Sequence, residues 1–115
     1  MISSMLIALG DVYAQIERRD EVRELMRATQ ASAREQDGCE YYAFAETLDD
    51  PGHFVVVQRW SDRGALDEHY RSPSFADYQA RIGPLLVRSS ELSLFDAPTG
   101  ARFVDRDPIE ISQEE

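Results

Sequence analysis

A chain of 115 residues with 43% hydrophobic and 30% charged residues is long enough for one packed domain and has the balance of a globular protein, not a disordered or membrane-embedded one. Its net charge of -10 comes with no basic run, so neither nucleic acid nor a membrane is expected as a partner, and a solvated surface is the plain reading of the acid excess. The single cysteine, Cys39, excludes an internal disulfide and a cysteine-based metal cluster and fits a reducing compartment.

The first residues, MISSMLIALGDVY, lack a basic n-region, and Asp11 interrupts their apolar run, so neither a secretory signal nor a spanning helix is expected and the protein is placed in the cytoplasm. Met5 to Ile16 alternates loosely and is rich in Ile, Val, Leu and Tyr, which predicts a strand. From Asp20, a candidate N-cap, the period changes: Val22, Leu25, Met26, Thr29 and Ala33 recur at helical spacing until Asp37-Gly38 ends the helix. Cys39 to Thr47 and Phe54 to Trp60 read as two strands of an antiparallel hairpin around the turn formers Leu48-Asp-Asp-Pro-Gly52. Ser61 or Asp62 caps a second helix through Tyr70, Ser72-Pro73 interrupts it, and Phe75 to Ile82 continues as a helical segment before Gly83-Pro84. Glu91 to Ala97 is the last strand.

The order β-α-β-β-α-β predicts an α+β protein of the ferredoxin-like, split βαβ kind: a four-stranded antiparallel sheet with the helices on one face. Residues 1–97 form that domain, and 98–115 form an acidic C-terminal tail. The other sheet face is bare, yet Met5-Leu-Ile7 and Phe54-Val-Val-Val57 are apolar on both sides of their strands. A second copy packed sheet to sheet, burying about 800 Å² per partner, gives a homodimer of dimeric α/β-barrel type. The tail folding back over the same face, or crossing to the partner, is the alternative use of residues 98–115.

The chemistry-bearing residues gather between Tyr41 and Phe75. Trp60 closes the third strand and shares a face with Gln58 and Val56, either lining a pocket against the second helix or packing in the core. His69 lies among the inward positions Ala65 and Leu66 of that helix, as a hydrogen-bonded core residue or as a base whose basicity burial would tune. Tyr41 and Tyr42 point to opposite faces, and only the register says which one faces the helices. Tyr70, Phe75 and Tyr78 thicken the aromatic content nearby, Asp11 reaches either the polar face of its strand or the pocket, and His53, beside a turn, is expected in solvent. No glycine-rich phosphate loop, GxSxG elbow or histidine pair at ligand spacing is present, so neither a nucleotide nor a metal is expected.

DGCEYYAFAETLDDPGHFVVVQRW followed by SDRGALDEHYRSPSFADY resembles the antibiotic biosynthesis monooxygenase (ABM) domain family, which includes quinol monooxygenases and polyketide-anthrone oxygenases. Its specific parts are Gly38-Cys39 with Tyr42, Asp50-Pro51-Gly52, Trp60, Ala65-Leu66, His69 and Ser72-Pro73 with Phe75. The resemblance implies oxygenation of a small aromatic, quinol or anthrone-like substrate without cofactor or metal, the substrate supplying the electrons. It implies Trp60 and His69 as the catalytic pair, and a substrate site of Tyr42, Val56, Gln58, Leu66, Tyr70 and Phe75. This chain departs from better-equipped relatives at Ser74, Gln58 and Val56, where those carry His, Glu and Asn, and it lacks a haem-ligating histidine near Gln79. Two other functions remain in view: a non-catalytic ligand-binding or stress-associated dimer using the same pocket, and a structural dimer with a filled core.

Overall fold

The computed structural model describes residues 4–98, so the tail expected over 98–115 lies, beyond Pro98, outside the described residues. Strand β1 (Ser4–Tyr13) pairs antiparallel with both β3 (His53–Trp60) and β4 (Glu91–Pro98), and β2 (Cys39–Glu46) pairs with β3, giving the sheet order β2-β3-β1-β4. Helices α1 (Arg19–Ala33), α2 (Arg63–Arg71) and α3 (Pro73–Ile82) cover one face. The ferredoxin-like arrangement is therefore as expected, with the second helical segment split in two at Ser72-Pro73. Ser72 ends α2 in an extended conformation and its hydroxyl accepts from the Phe75 backbone N–H at 3.2 Å, while Pro73 fits the first turn of α3, where its missing N–H costs nothing.

Several boundaries differ from expectation, chiefly the end of β1 and both ends of α1. The first strand stops at Tyr13, and Ile16–Arg18 form a 3₁₀ turn with Ile16 exposed. Helix α1 then begins at Arg19, with Arg18 at the cap in place of Asp20, which lies inside the first turn. The physical reason is that the 3₁₀ turn already leads the chain into the helix, Arg18 N–H donating to Gln15 O at 2.9 Å, so no side-chain cap is needed. Asp20 instead pairs with Arg23 at 2.7 Å and places a negative charge at the positive end of the helix dipole.

At its other end α1 stops at Ala33, short of the Asp37-Gly38 expected to end it, and the chain reaches β2 through a turn in which Gly38 has a φ of 82° and its carbonyl accepts from Ser61 N–H at 2.8 Å. A Cβ there would lie 2.4 Å from the Ala65 Cβ, so glycine is demanded both by the left-handed backbone and by the closeness of α2. Helix α2 starts as predicted at Asp62, whose carboxylate accepts from Ala65 N–H at 2.8 Å.

The pleat assigns the faces. Leu6, Ala8, Gly10 and Val12 of β1, Tyr42 of β2, and Phe54, Val56, Gln58 and Trp60 of β3 are buried against the helices. This resolves the paired tyrosines: Tyr42 is 2% exposed and faces the helices, while Tyr41 is 48% exposed on the open face. The open face also carries Leu9, Val57 and Phe95, each more than a third exposed, an apolar surface on the side where a second copy is expected. Asp11 is on this side too. Its carboxylate meets His53 Nε2 at 2.8 Å, and the His53 ring stacks on Tyr13 with centroids 4.7 Å apart. His53 is thus not the solvent residue expected from its turn position; its side chain is only 20% exposed.

The core comes in two parts. One packs Val12, Val22, Met26, Phe54, Tyr78 and Ile82 among its members, and the other Leu6, Ala33, Tyr42, Val56, Trp60 and Leu66. Between them the side chains do not close.

Candidate functional site

The gap between the two parts is a cavity of about 410 Å³. Tyr42 and Val56 bound it from one part of the core, Val12, Tyr78 and Ile82 from the other, and Leu92 from β4. Gly10 forms part of its floor: a Cβ there would lie 2.9 Å from Val56 Cγ1 and 3.1 Å from Leu92 Cδ1, so the missing side chain helps to leave the space. The volume is of the size that holds a small aromatic molecule, and the walls are mostly apolar with a few convergent polar groups.

Five of the six substrate-site residues expected from sequence line this cavity: Tyr42, Val56, Gln58, Tyr70 and Phe75. Leu66 does not; it is 2% exposed and packs with Trp60 in the core. Nor do Trp60 and His69 reach the cavity wall. They sit one layer behind it, 0% and 2% exposed, with ring centroids 4.9 Å apart.

Two hydrogen-bonded chains connect this inner layer to the wall. In the first, Trp60 Nε1–H donates to Gln58 Oε1 at 2.9 Å, and Gln58 Nε2–H donates to the Tyr70 hydroxyl at 3.1 Å. In the second, the Tyr42 hydroxyl faces His69 Nε2 across a long contact of 3.4 Å, and His69 Nδ1 meets Gln36 Oε1 at 2.8 Å. With Gln36 Oε1 turned to the ring, an oxygen that only accepts, the contacts are satisfied by a proton on Nδ1, a lone pair on Nε2 and the Tyr42 hydroxyl donating to it. Phe75 and Tyr70 close over the imidazole with centroids at 5.1 and 4.7 Å.

Burial among these rings removes hydration from an imidazolium, and the His69 pKa falls to about 4. The ring is therefore neutral near pH 7, an acceptor in a dry setting. Burial acts in the opposite direction on the phenols: Tyr42 is pushed well above its ordinary value, first by desolvation and then by neighbouring Tyr70, and Tyr70 is also raised by burial. Both remain protonated donors. His69 also borders a second space of about 320 Å³ between α1 and α3, whose rim includes Ser32, Ser74, Asp77 and Arg81. Among the described residues no group of three His, Cys, Asp or Glu side chains converges in a way that would hold a metal ion.

Gln36 was not among the sequence candidates. It lies 33 residues from His69, in the turn after α1, and no spacing rule joins a turn glutamine to a helix histidine. Gly10, Phe44, Gln79 and Leu92 also line the cavity, and only Gly10 carried a signal, as a glycine inside a strand. Ser74 lies away from the cavity, its hydroxyl 3.2 Å from that of Ser72.

Fold and site together define a class: a ferredoxin-like α+β protein whose helix-covered sheet face encloses an aromatic cavity in front of a buried, neutral histidine. The family model for antibiotic biosynthesis monooxygenase matches residues 5–81, and the chain belongs to that family. It is 39% identical over 87 residues to the Mycobacterium tuberculosis protein named "Putative monooxygenase Rv0793", the match covering 76% of this chain and 85% of that one. The crystal structure of Rv0793 superposes with a TM-score of 0.75 at 29% identity, covering 90% of this chain and 100% of that chain. The structure of an antibiotic biosynthesis monooxygenase superposes with a TM-score of 0.76 at 29% identity, covering 80% and 97% of the two chains. A Deinococcus radiodurans protein under the same heading gives 0.80 at 25% identity, with 86% and 98% covered. No described helix is long and apolar enough to cross a membrane.

Proposed function

We propose that this protein is a monooxygenase that oxidises a small quinol or anthrone-like aromatic with dioxygen in the cavity bounded by Tyr42, Gln58 and Tyr70, using no resident cofactor, and that it works as a homodimer joined through the open sheet face. The observation that carries the reading is the Tyr42–His69 contact at the cavity wall: a phenol able to accept a proton from substrate while passing its own to a neutral imidazole. The monooxygenase name of the M. tuberculosis relative supports this choice of reaction class.

For a 1,4-naphthohydroquinone the chemistry balances with dioxygen alone. The substrate hydroxyl loses its proton through Tyr42 toward His69 Nε2, and the anion passes one electron to dioxygen. The semiquinone and superoxide then combine at a ring carbon. One oxygen atom stays on the ring and the other leaves as water, so quinol and O₂ become hydroxyquinone and H₂O. Apolar walls keep bulk water from the charged intermediates. Gln58 and Tyr70 orient the substrate oxygen. Trp60 acts as a positioning residue through Gln58, in place of the direct stacking implied by the family resemblance, because its ring is sealed behind the wall.

A second reading, a ligand-binding dimer without turnover, draws on the enclosure of His69, whose two nitrogens are already engaged. Oxygen uptake with 1,4-naphthohydroquinone and anthrone, in chelator-treated buffer and above the uncatalysed rate, separates the two. One O₂ consumed per quinol, with losses of about tenfold or more in Tyr42→Phe and His69→Gln, supports catalysis by this site. Unchanged turnover in both variants removes the site assignment. Saturable quenching of Trp60 fluorescence without oxygen uptake favours the second reading.

A further inference from the structure

We infer that Gln36 is a positioning residue that fixes the tautomer of His69, so that the lone pair on Nε2 points at the Tyr42 hydroxyl. This rests on the reading of Tyr42 and His69 as the route by which substrate loses its proton, and it adds what makes that route directional. A neutral imidazole has one donor and one acceptor nitrogen, and an isolated ring readily exchanges them. With the proton on Nε2, the ring would donate to Tyr42 and have no basic site facing the cavity. The route would then be closed with every atom still in place.

Gln36 is suited to prevent this. Its side-chain oxygen is 2.8 Å from His69 Nδ1, the shorter of the two contacts to the ring. Its backbone is held at both ends, N–H donating to Ala33 O at 3.0 Å and O accepting from Cys39 N–H at 3.1 Å. The turn that presents it is fixed in turn by Gly38 against Ala65. The bond is shielded on the His69 side and open on the other: Gln36 lines a polar hollow on the surface with Asp37, Ser61 and Glu68. With Oε1 turned to the ring, Gln36 selects the Nδ1–H tautomer without adding a charge, which leaves the imidazole weakly basic; turned over, the same amide would donate to Nδ1 and select the other form, so the tautomer reports the amide's orientation. A carboxylate in the same position would fix the same tautomer and raise the basicity, as acids beside imidazoles do.

The other groups facing His69 cannot set the tautomer in place of Gln36. Tyr42 comes from β2 and contacts the opposite nitrogen, while Tyr70 on the same helix bonds to Gln58. Tyr78, Asp77 and Arg81 approach from α3 around the neighbouring groove, and there Asp77 and Arg81 pair with each other at 2.9 Å. Asp37 and Glu68 stand at the outer hollow.

The direct test is the long-range ¹H–¹⁵N spectrum of the uniformly labelled full chain near pH 7, with His69 assigned by its loss in His69→Gln. The wild type is expected to carry the proton on Nδ1, Gln36→Leu to show the Nε2–H form or an exchanging mixture, and Gln36→Glu to restore Nδ1–H. With 1,4-naphthohydroquinone and dioxygen, Gln36→Leu is expected to lower kcat by about 10- to 100-fold with KM nearly unchanged, the scale seen when a group orienting an essential histidine is lost. Gln36→Glu is expected to recover much of that rate and to move the acid limb of the pH profile upward. Nε2–H in the wild type, or Nδ1–H persisting in Gln36→Leu, overturns the inference. If no form consumes oxygen, the proposed activity fails, yet the tautomer spectra still decide the role of Gln36.

Discussion

His69 should make this protein sensitive to mild acid, and the size of the effect follows from its enclosure. The folded chain holds the imidazole at a pKa of about 4, against 6.5 for an unshifted histidine, because burial penalises the imidazolium. Below the unfolded value the unfolded chain binds a proton that the folded chain refuses, so folding stability falls as the pH drops from 6.5 toward 4. Above that window the stabilising difference is fully present. The linkage relation gives a loss of about 2.5 kcal/mol between roughly pH 7.5 and pH 4.5 from this one group.

Urea unfolding at fixed protein concentration over that range measures it, comparing wild type with His69→Phe. A phenyl ring cannot titrate and suits the setting of Trp60, Tyr70 and Phe75, so carboxylates and His53 contribute equally to both proteins and cancel in the difference. His69→Phe leaves Gln36 and the Tyr42 hydroxyl without their partner and lowers the baseline, but only the change of the difference with pH is read. The wild type should lose about 2.5 kcal/mol more than the variant across the range. Parallel pH profiles, within about 0.5 kcal/mol, would mean that the folded chain accepts the proton freely. The imidazole would then not be enclosed, and the neutral acceptor argued for at Nε2 would be lost with it. If His69→Phe unfolds, the His69 ring resonances of the wild type report the same quantity directly: a midpoint near 6.5 in the folded protein refutes the reasoning.

Two neighbouring glycines should respond in opposite directions. Gly38→Ala should destabilise by about 1–3 kcal/mol, because φ is positive and its Cβ would collide with Ala65. Gly64→Ala, in the first turn of α2 with nothing nearer than 3.4 Å to its Cβ, should gain up to about 1 kcal/mol of helix propensity, both effects read from denaturation midpoints. Asp62→Ala removes the oxygen that accepts from Ala65 N–H and should cost about 1 kcal/mol, with Asp62→Asn recovering most of it. On the open face, Leu9→Glu and Val57→Glu together should convert the proposed dimer to monomer in sedimentation velocity without altering the circular dichroism of the fold. A monomeric wild type at micromolar concentration would remove the dimer.

The order of elements was legible because each segment carries its own period or punctuation: the helical spacing of Val22, Met26 and Ala33, the alternation of Phe54, Val56, Gln58 and Trp60, the capping signal at Ser61-Asp62 and the break at Ser72-Pro73. Boundaries were less legible where neighbours decide them. Asp20 looked like a cap, yet the backbone of Gln15 does that work through a 3₁₀ turn, and the sequence of the turn does not announce it. His53 read as a turn residue in solvent because the carboxylate that holds it, Asp11, is 42 residues away on another strand. The wall of the site was legible through the shared face of Val56 and Gln58, whereas the choice of Tyr42 over Tyr41 came only with the register of β2. Its depth was not: whether Trp60 lines a cavity or seals it from behind depends on how far two parts of the core stand apart.

That separation changes which residues the chemistry depends on. The family resemblance points to Trp60 and His69, two of the most buried large side chains of the site, and neither lines the cavity between the two parts of the core. Their influence must pass through the residues in front of them, Gln58 for the indole and Tyr42 for the imidazole, and each of these has only one orientation in which the relay works. Gln58, where the family resemblance implies Glu, is then not simply a missing acid. Its amide has both an acceptor and a donor, and it uses both, taking the Trp60 N–H on one side and donating to the Tyr70 hydroxyl on the other. An ionised carboxylate there would accept from both neighbours, forcing the Tyr70 hydrogen inward and away from any substrate oxygen. With Gln58, the Tyr70 oxygen accepts from Nε2–H at 3.1 Å while its own O–H makes only a long contact of 3.4 Å to Gln58 Oε1, weak enough for a ligand oxygen to compete for that proton. In the proposed site Gln58 therefore supplies a neutral acceptor and donor in place of a second base, and the proposed proton route runs through Tyr42 to His69, while Glu91 also lines the cavity.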